Sequence, residues 1–584
     1  MENDTIVKAL SDLADLLEMD REPGFRVRAF RNAARAIGGL GEPAEALLAA
    51  GKLTKVPGIG DGIARRVNEL ITEGRLGELE ERRARMPPGL VHLLRLPGLG
   101  PKSAEIIWRE LKLSTLLEVE EAARAGKLRG LPRFGAVREQ RLLQAIEARR
   151  HERPRIKLSQ ALESARRLVA RMRETEGVVH SEAAGSVRRH LATIGDLDVL
   201  VACPDAARPT AIERFITYPD VVHVLNRGET KTRVMLRDGL EVDLVVVPPE
   251  SWGAALHYLT GSQDHNVAIR SMAAKRKLRI NEWGVFEDRE GERRTGGAEE
   301  MDVFAALGLP WIPPELREGQ GEIEAALAGK LPKLLERADM RGDLHMHTVD
   351  TDGKSTLEAM VAAAAEAGHE YLAITDHSQA LAITKGLDPV RLRMQGARIR
   401  ALNEQLGGKP TILRGIEADI LPDGSVDLGP EVLGELDWVV GSVHSAFRLS
   451  REEQTKRVVK ALESGLIDVL GHPTGRLLTR RDPYPIDIEQ VLAAAKRVGA
   501  AMELNAFPDR LDLEETSLRM AKEMGVPVII STDSHHERQL DLHMPFGIGI
   551  ARRGWLEAQD VGNTWPLETL LDRFPHRRRA SAAL

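Results

Sequence analysis

Two sets of residues in this sequence could do chemistry at phosphorus. In Gly195-Asp196-Leu197-Asp198-Val199-Leu200-Val201, two aspartates two residues apart run into an apolar stretch. On a strand that spacing sends both carboxylates to one face. A second apolar run, Glu241-Val242-Asp243-Leu244-Val245-Val246-Val247, can supply a third. Hard divalent cations, Mg2+ or Mn2+, prefer oxygen ligands, and a pair of them held by Asp196, Asp198 and Asp243 would clamp both oxygens of an in-line displacement. Just upstream, Gly185-Ser186-Val187-Arg188-Arg189 offers a small-residue turn for a triphosphate, with Arg188 or Arg189 to neutralise its charge.

The second set is rich in histidine. Asp343-Leu344-His345-Met346-His347 places two histidines on one face of an extended segment, and Asp352 follows in a glycine-containing loop. His377, Glu417, His444, His472, Asp533 and His535 then recur, nearly all at the ends of apolar runs. Mixed imidazole and carboxylate donors suit Zn2+, Mn2+ or Fe2+, and the donor types do not choose among them. Cys203 is the only cysteine, which excludes a thiolate cluster and an internal disulfide and fits a reducing cytoplasm. Glu503 and Asp376 read as supporting groups or plain ion-pair partners.

A third feature binds phosphate without changing it. Val56-Pro57-Gly58-Ile59-Gly60-Asp61-Gly62-Ile63-Ala64 recurs as Leu96-Pro97-Gly98-Leu99-Gly100-Pro101-Lys102-Ser103-Ala104, and a degraded copy follows at Leu131-Pro132-Arg133-Phe134-Gly135. Each complete copy is a tight turn opening a helix, so Gly58, Gly60, Gly98 and Gly100 expose backbone amides to a nucleic-acid backbone, with Lys102 beside them. Such contacts read no bases.

These residues need elements to hold them. The chain has 584 residues, 42% hydrophobic and 29% charged, which excludes a disordered chain and, at about 150 residues per domain, a single compact unit. Residues 1–300 hold 49 Lys+Arg against 45 Asp+Glu and residues 301–584 hold 33 against 43, so a mildly basic front half precedes an acidic, histidine-bearing back half. No apolar run is long enough for a membrane span. Helical spacing, as in Leu10–Met19 and Leu142–Arg150, makes residues 1–150 all-α. Runs at 178–180, 197–201, 221–225, 231–236 and 240–247, with helices at 158–174 and 209–217, predict a mixed α+β sheet. A helix covers 267–277, and residues 319–341 read as a linker. Beyond it, seven strands ending near His347, His377, Ile420, His444, His472, Asn505 and His535 alternate with helices, which predicts a closed parallel barrel.

The glycine turns resemble helix-hairpin-helix motifs of DNA-repair proteins. The Gly-Ser turn with its three aspartates resembles the palm of a family X DNA polymerase, and Tyr258-Leu259-Thr260-Gly261-Ser262 with Asn266 and Arg270 is similar to that family's thumb segment. The nine histidine and carboxylate positions resemble the polymerase and histidinol phosphatase (PHP) domain, which implies up to three ions, Zn2+ or Mn2+, and phosphoesterase chemistry. The resemblance implies that Gly185, Ser186, Arg188, Arg189, Tyr258, Gly261, Asn266 and Arg270 bind a dNTP. Two positions depart from the pattern. Where relatives with lyase activity carry a Schiff-base lysine, this chain has Arg65 and Arg66, and arginine cannot serve. Leu259 follows Tyr258 where the family often has phenylalanine, so ribonucleotide discrimination is not carried over.

The implied order is a lyase-like helix-hairpin-helix region (1–80), fingers (81–152), palm (153–250), thumb (251–318), linker (319–337) and a (β/α)7-type PHP barrel (338–584). The implied function is a cytoplasmic, monomeric, gap-filling repair polymerase acting on gapped or nicked DNA with dNTPs. Its barrel would be a 3′–5′ exonuclease, with AP-endonuclease and 3′-phosphatase activity as further implications. A template-independent nucleotidyltransferase and a DNA-end scaffold with structural metals are the alternatives.

Overall fold

In a computed structural model, residues 3–38, 44–49, 51–86, 99–114, 116–132, 134–135, 138–143, 155–287 and 293–574 are described. The chain divides into two compact units, 1–153 and 154–584. The first is all-α. Its helices include Asn3–Met19, Gly24–Gly38, Asp61–Glu73 and Pro101–Leu111, packed on one core that contains Leu13, Leu17, Phe30, Val67 and Ile107. Gly98, Arg133 and most of the expected helix Leu142–Arg150 lie outside the described residues.

The second unit begins with a five-stranded sheet ordered His180–Ala184, Asp196–Ala202, Glu241–Val247, Lys231–Leu236, Val221–Arg227. The two central strands are parallel, and their register sets Asp196 beside Glu241 and Asp198 beside Asp243. Strand alternation decides what each face carries. Leu197, Val199 and Val201 pack on helix Leu158–Arg173, in one core with Ala211 and Phe215 of helix Arg208–Ile216. Leu200 and Ala202 turn the other way, against Ala255 and Leu256 of helix Trp252–Thr260. Asp196 and Asp198 therefore look toward the thumb side. Val178 and Val179, expected in the first strand, precede it, although Val179 N–H still bonds the Ala202 carbonyl at 2.8 Å.

Seven parallel strands then follow in sequence order: Gly342–Asp343, Tyr371–Ile374, Thr411–Asp419, Trp438–Ser442, Val469–Leu470, Ala501–Asn505 and Val528–Ser531. A bridge between Met346 and Ser534 joins the first and last of them beyond their ladders. The first strand is shorter than the sequence pattern suggests, so His345 and His347 sit past its end. Their alternation survives because the His347 N–H bonds the Ser534 carbonyl at 2.8 Å, which keeps the segment extended.

Residues 319–341 connect thumb and barrel but are well packed. Leu335 is fully buried, and Glu322 accepts a 2.7 Å hydrogen bond from His265. The hydrophobic core of the sheet, including Leu158, Leu197 and Val242, continues without a break into Phe546, Ile548 and Ile550 of the barrel.

Candidate active sites

The sheet site is built by register. Asp198 and Asp243 face each other across adjacent strands, and burial together with the Asp243 charge pushes the Asp198 carboxyl up to about 6. Asp243, 3% exposed, is held below the usual carboxylate range despite its burial. Arg233 grips it through Nε–Oδ1 at 2.5 Å and Nη2–Oδ2 at 2.7 Å, and Lys231 approaches Oδ2 at 2.9 Å. Lys231 and Arg233 were missed in the sequence. Their one signal is the two-residue spacing in Lys231-Thr232-Arg233, which puts both on the face of Asp243 once the strand pairing is known.

Gly185 brings the turn to these carboxylates. Its φ is +65°, and a Cβ there would collide with the Asp198 carboxylate, so only glycine allows the approach. The two arginines expected at the triphosphate have other partners. Arg188 donates to Glu300 at 2.7 and 3.1 Å and to Thr260 Oγ1 at 2.8 Å. Arg189 donates to Glu318 at 2.8 Å and to the Thr260 carbonyl, which brings it against Gly261. Glu300 is shared with the fully buried Arg317 at 2.7 Å. Asn266 donates to the Tyr258 carbonyl at 2.7 Å, and Arg270 touches the Asn266 carbonyl at 3.3 Å, so these three form a contact set within the thumb.

The barrel mouth gathers all nine expected positions. Their donor atoms fall into three groups: His347, Asp352, His377 and His535; His345, His347 and Asp533; and His377, Glu417 and His444. His472 joins them through Nε2, 2.9 Å from Glu417 Oε1. Although burial would lower it, carboxylates hold His345 well above its ordinary value, and Glu417 and Asp352 raise His377 to about 10. Against their burial, Glu417 is held far below the carboxylate range by His444, His377 and His345, and Asp533 by His345, His347 and His535. His347 goes the other way, to about 3, through burial and the stacked rings of His535 and His377 at 4.3 and 4.4 Å.

The donor set fits divalent ions. Buried His345 Nε2, His347 Nδ1 and His472 Nδ1 lack a hydrogen-bond partner, and His345 Nε2 lies 3.5 Å from Glu417 and 3.8 Å from Asp533. Those separations are long for hydrogen bonds and suit a shared cation. Glu503 plays its expected supporting part: Oε1 accepts from His345 Nδ1 at 2.7 Å and Oε2 from the His472 backbone N–H at 2.5 Å. Asp376 fastens the loop after His347 by accepting from Thr348 N–H at 2.9 Å and Thr348 Oγ1 at 2.6 Å. Asp419, bonded to His444 Nδ1 at 2.5 Å, and Arg510, 3.6 Å from Asp533, were not foreseen. Neither belongs to a repeating motif.

In the helical unit, Gly60 and Gly100 are the N-cap residues of helices Asp61–Glu73 and Pro101–Leu111. Glycine has no side chain to cap the first amides, which leaves them available to an anion. Lys102, more than half exposed, lies 3.5 Å from Glu18. Arg66 is held by Glu78 at 2.7 Å and lies over the Phe30 ring, so the expected absence of a lyase lysine comes with a filled ion-pair site.

Comparison with known proteins follows the same division. A helix-hairpin-helix domain model matches residues 1–76, a SAM-like helix-hairpin-helix tandem 90–148, a DNA polymerase beta thumb 255–318 and a PHP domain 343–506. The DNA polymerase/3′-5′ exonuclease PolX of Bacillus subtilis (strain 168) is 37% identical over 570 residues, 97% of this chain and 98% of that protein. Probable phosphatases of Thermoanaerobacter sp. (strain X514) and Shewanella sp. (strain MR-4) match at 32% and 31% identity. They cover 33% and 40% of this chain and 78% and 87% of their own. With a relative matched nearly end to end, and hairpin, thumb and PHP models matched in the order of the elements described above, the chain belongs to the PolX family of DNA polymerases that carry a C-terminal PHP domain.

Proposed function

We propose that this protein fills short gaps in DNA from the 3′-hydroxyl with dNTPs and trims 3′ ends with its barrel. The observation that carries this reading is the register of Asp198 on Asp243 beside Gly185, in the same compact unit as a barrel mouth that gathers nine histidine and carboxylate side chains. Asp196, Asp198 and Asp243 would hold Mg2+ or Mn2+, which when bound supply activation of the primer hydroxyl and charge neutralisation at the triphosphate. The Gly185–Ser186 turn holds the triphosphate, and Arg233 keeps Asp243 ionised and oriented. Tyr258, Gly261, Asn266 and Arg270 form the thumb side of the nucleotide site. Single-dNTP incorporation into a one-nucleotide gap, measured for each templating base, tests the assignment. Incorporation that ignores the template would make the protein a template-independent transferase.

In the barrel, His345, His347, Asp352, His377, Glu417, His444, His472, Asp533 and His535 would hold up to three ions, Zn2+ or Mn2+, which supply a nucleophile and charge neutralisation for phosphoester hydrolysis. The barrel acts as a 3′–5′ exonuclease, and its likeness to probable phosphatases supports 3′-phosphatase action beside it; AP-endonuclease action follows only from the family resemblance. Because raised histidines must lose protons to bind a cation, loading releases protons and affinity falls as pH falls. Calorimetric Mn2+ titrations in buffers of different ionisation enthalpy will show net proton release at pH 7.5, and buffer-independent heats would contradict the ligand set.

Gly60 and Gly100 permit a test of DNA binding that spares the fold. Their φ angles are −92° and −77°, and a Cβ at either meets nothing within 4 Å. Gly60→Val with Gly100→Val will therefore fold normally yet crowd the amides. Affinity for gapped DNA should fall by about tenfold, equally for every sequence, as expected when hydrogen bonds to charged phosphates are lost. Fluorescence anisotropy over several duplexes checks both the size and the uniformity.

A further inference from the structure

Helix Gln539–Arg553 of the barrel reaches from one catalytic centre to the other. At its start, Gln539 Oε1 accepts from the N–H of His535, a barrel ligand, at 2.7 Å. Its middle is buried, with Met544, Phe546, Ile548 and Ile550 in the core shared by barrel and palm. Near its end Gly549 lies against the His190 ring so closely that a Cβ would overlap the imidazole.

The last residue, Arg553, closes the connection. Its side chain is 4% exposed. Nη1 donates to the Arg189 backbone carbonyl at 2.8 Å and to Glu318 Oε1 at 2.7 Å, while Nη2 donates to Glu515 at 2.6 Å. The same Glu318 oxygen accepts from Arg189 Nε at 2.8 Å. Arg189 ends the Gly185 turn, since its N–H bonds the Gly185 carbonyl at 3.3 Å, and the next two N–H groups bond Val187 and Ser186. One guanidinium from the barrel thus fixes the backbone of the turn and the carboxylate that restrains the turn's arginine.

We infer that Arg553 is a positioning residue for nucleotide binding, so that the PHP barrel braces the polymerase site. The inference rests on the reading of Gly185–Arg189 as the nucleotide turn. Arg553 touches no part of either metal-binding group. Its fork works by geometry: Nη1 serves the Arg189 carbonyl and Glu318 while Nη2 holds Glu515, so two nitrogens at a fixed separation span three acceptors, which a single ammonium cannot reproduce. Its neighbour Arg552 lies on the same interface but bonds Glu315 at 2.7 Å and the Leu335 carbonyl at 3.1 Å, away from the turn.

The test compares full-length variants in single-nucleotide gap filling. Arg553→Met should raise the KM for dNTP about tenfold with kcat changed less than about threefold, the pattern of lost uniform binding when charge-assisted hydrogen bonds disappear. Arg553→Lys, which keeps the charge and guards against misfolding, should give an intermediate KM. Arg552→Met should leave KM unchanged, and barrel hydrolysis of a chromogenic phosphodiester should be unchanged in all three. A KM unaltered in Arg553→Met or fully restored in Arg553→Lys, or an equal rise in Arg552→Met, would overturn the proposal, as would a parallel loss of hydrolysis. Ser186→Ala separates the two readings. If it raises KM and Arg553→Met does not, only the brace fails; if it leaves KM unchanged, the nucleotide turn itself is misassigned.

Discussion

Asp243→Asn abolishes nucleotide insertion, lowering the rate by on the order of 10³-fold or more, while DNA affinity and barrel hydrolysis stay within about twofold of wild type. Asparagine keeps the volume of the side chain but not the charge. Arg233 and Lys231 would then face an amide instead of an anion, with only Glu241, 3.3 Å from Arg233, and Asp198 left to offset them. A metal pair loses one of its three carboxylates and meets extra positive charge. Asp198→Asn should be as damaging for the complementary reason. Asp198 pairs with Asp243 in register and abuts Gly185, so it would link the cations to the turn proposed to hold the triphosphate. The glycine turns proposed to bind phosphate lie in the other compact unit, and the nine histidine and carboxylate side chains proposed as ligands lie in the barrel, so neither proposed function depends on these aspartates. Pre-steady-state insertion of one dNTP, with anisotropy and diester hydrolysis on the same preparations, measures all three properties. Near wild-type insertion by either variant would remove the palm assignment.

What the sequence made legible follows the range of the interactions involved. The spacing of Asp196 and Asp198 was readable because alternation along a strand is local, and the hairpins because the same glycine turn occurs twice. The pairing of Asp198 with Asp243 was not, since register between strands 45 residues apart depends on how both pack. Arg188 and Arg189 looked available to a triphosphate, but Glu300 and Glu318 bind them from more than 100 residues away. The linker composition was misleading in the same sense: glycines and a proline suggest a loose connection, whereas Leu335 and Glu322 are buried by residues distant in sequence. In the barrel the opposite held. The ends of parallel strands converge whatever the details of packing, so short local motifs sufficed to locate the mouth even where the first strand proved only two residues long.

His347→Ala eliminates hydrolysis by the barrel, with a loss on the order of 10³-fold or more against both 3′-labelled DNA and a chromogenic phosphodiester in Mn2+, and leaves insertion unchanged. His347 belongs to two of the three groups that could hold an ion, so its removal would weaken two positions at once. Its pKa of about 3 keeps the ring neutral at working pH, and neutral imidazole is the form that ligates. Asp533, 3.1 Å from Nε2, and Asp352, 4.0 Å from Nδ1, would each lose the ring that separates them, bringing two carboxylates toward one cavity without the donor between them. Glu503→Gln should be milder, about 10- to 100-fold, because it disturbs only the orientation of His345 and the His472 backbone. The contrast matters because any ligand loss could lower activity through general damage to the barrel. A graded response, with insertion preserved throughout, follows only if the histidines act through the metal site. Exonuclease that persists in His347→Ala while diester hydrolysis is lost would move 3′ trimming out of the barrel, and its abolition in Asp243→Asn would then assign hydrolysis of the terminal phosphodiester to the sheet site.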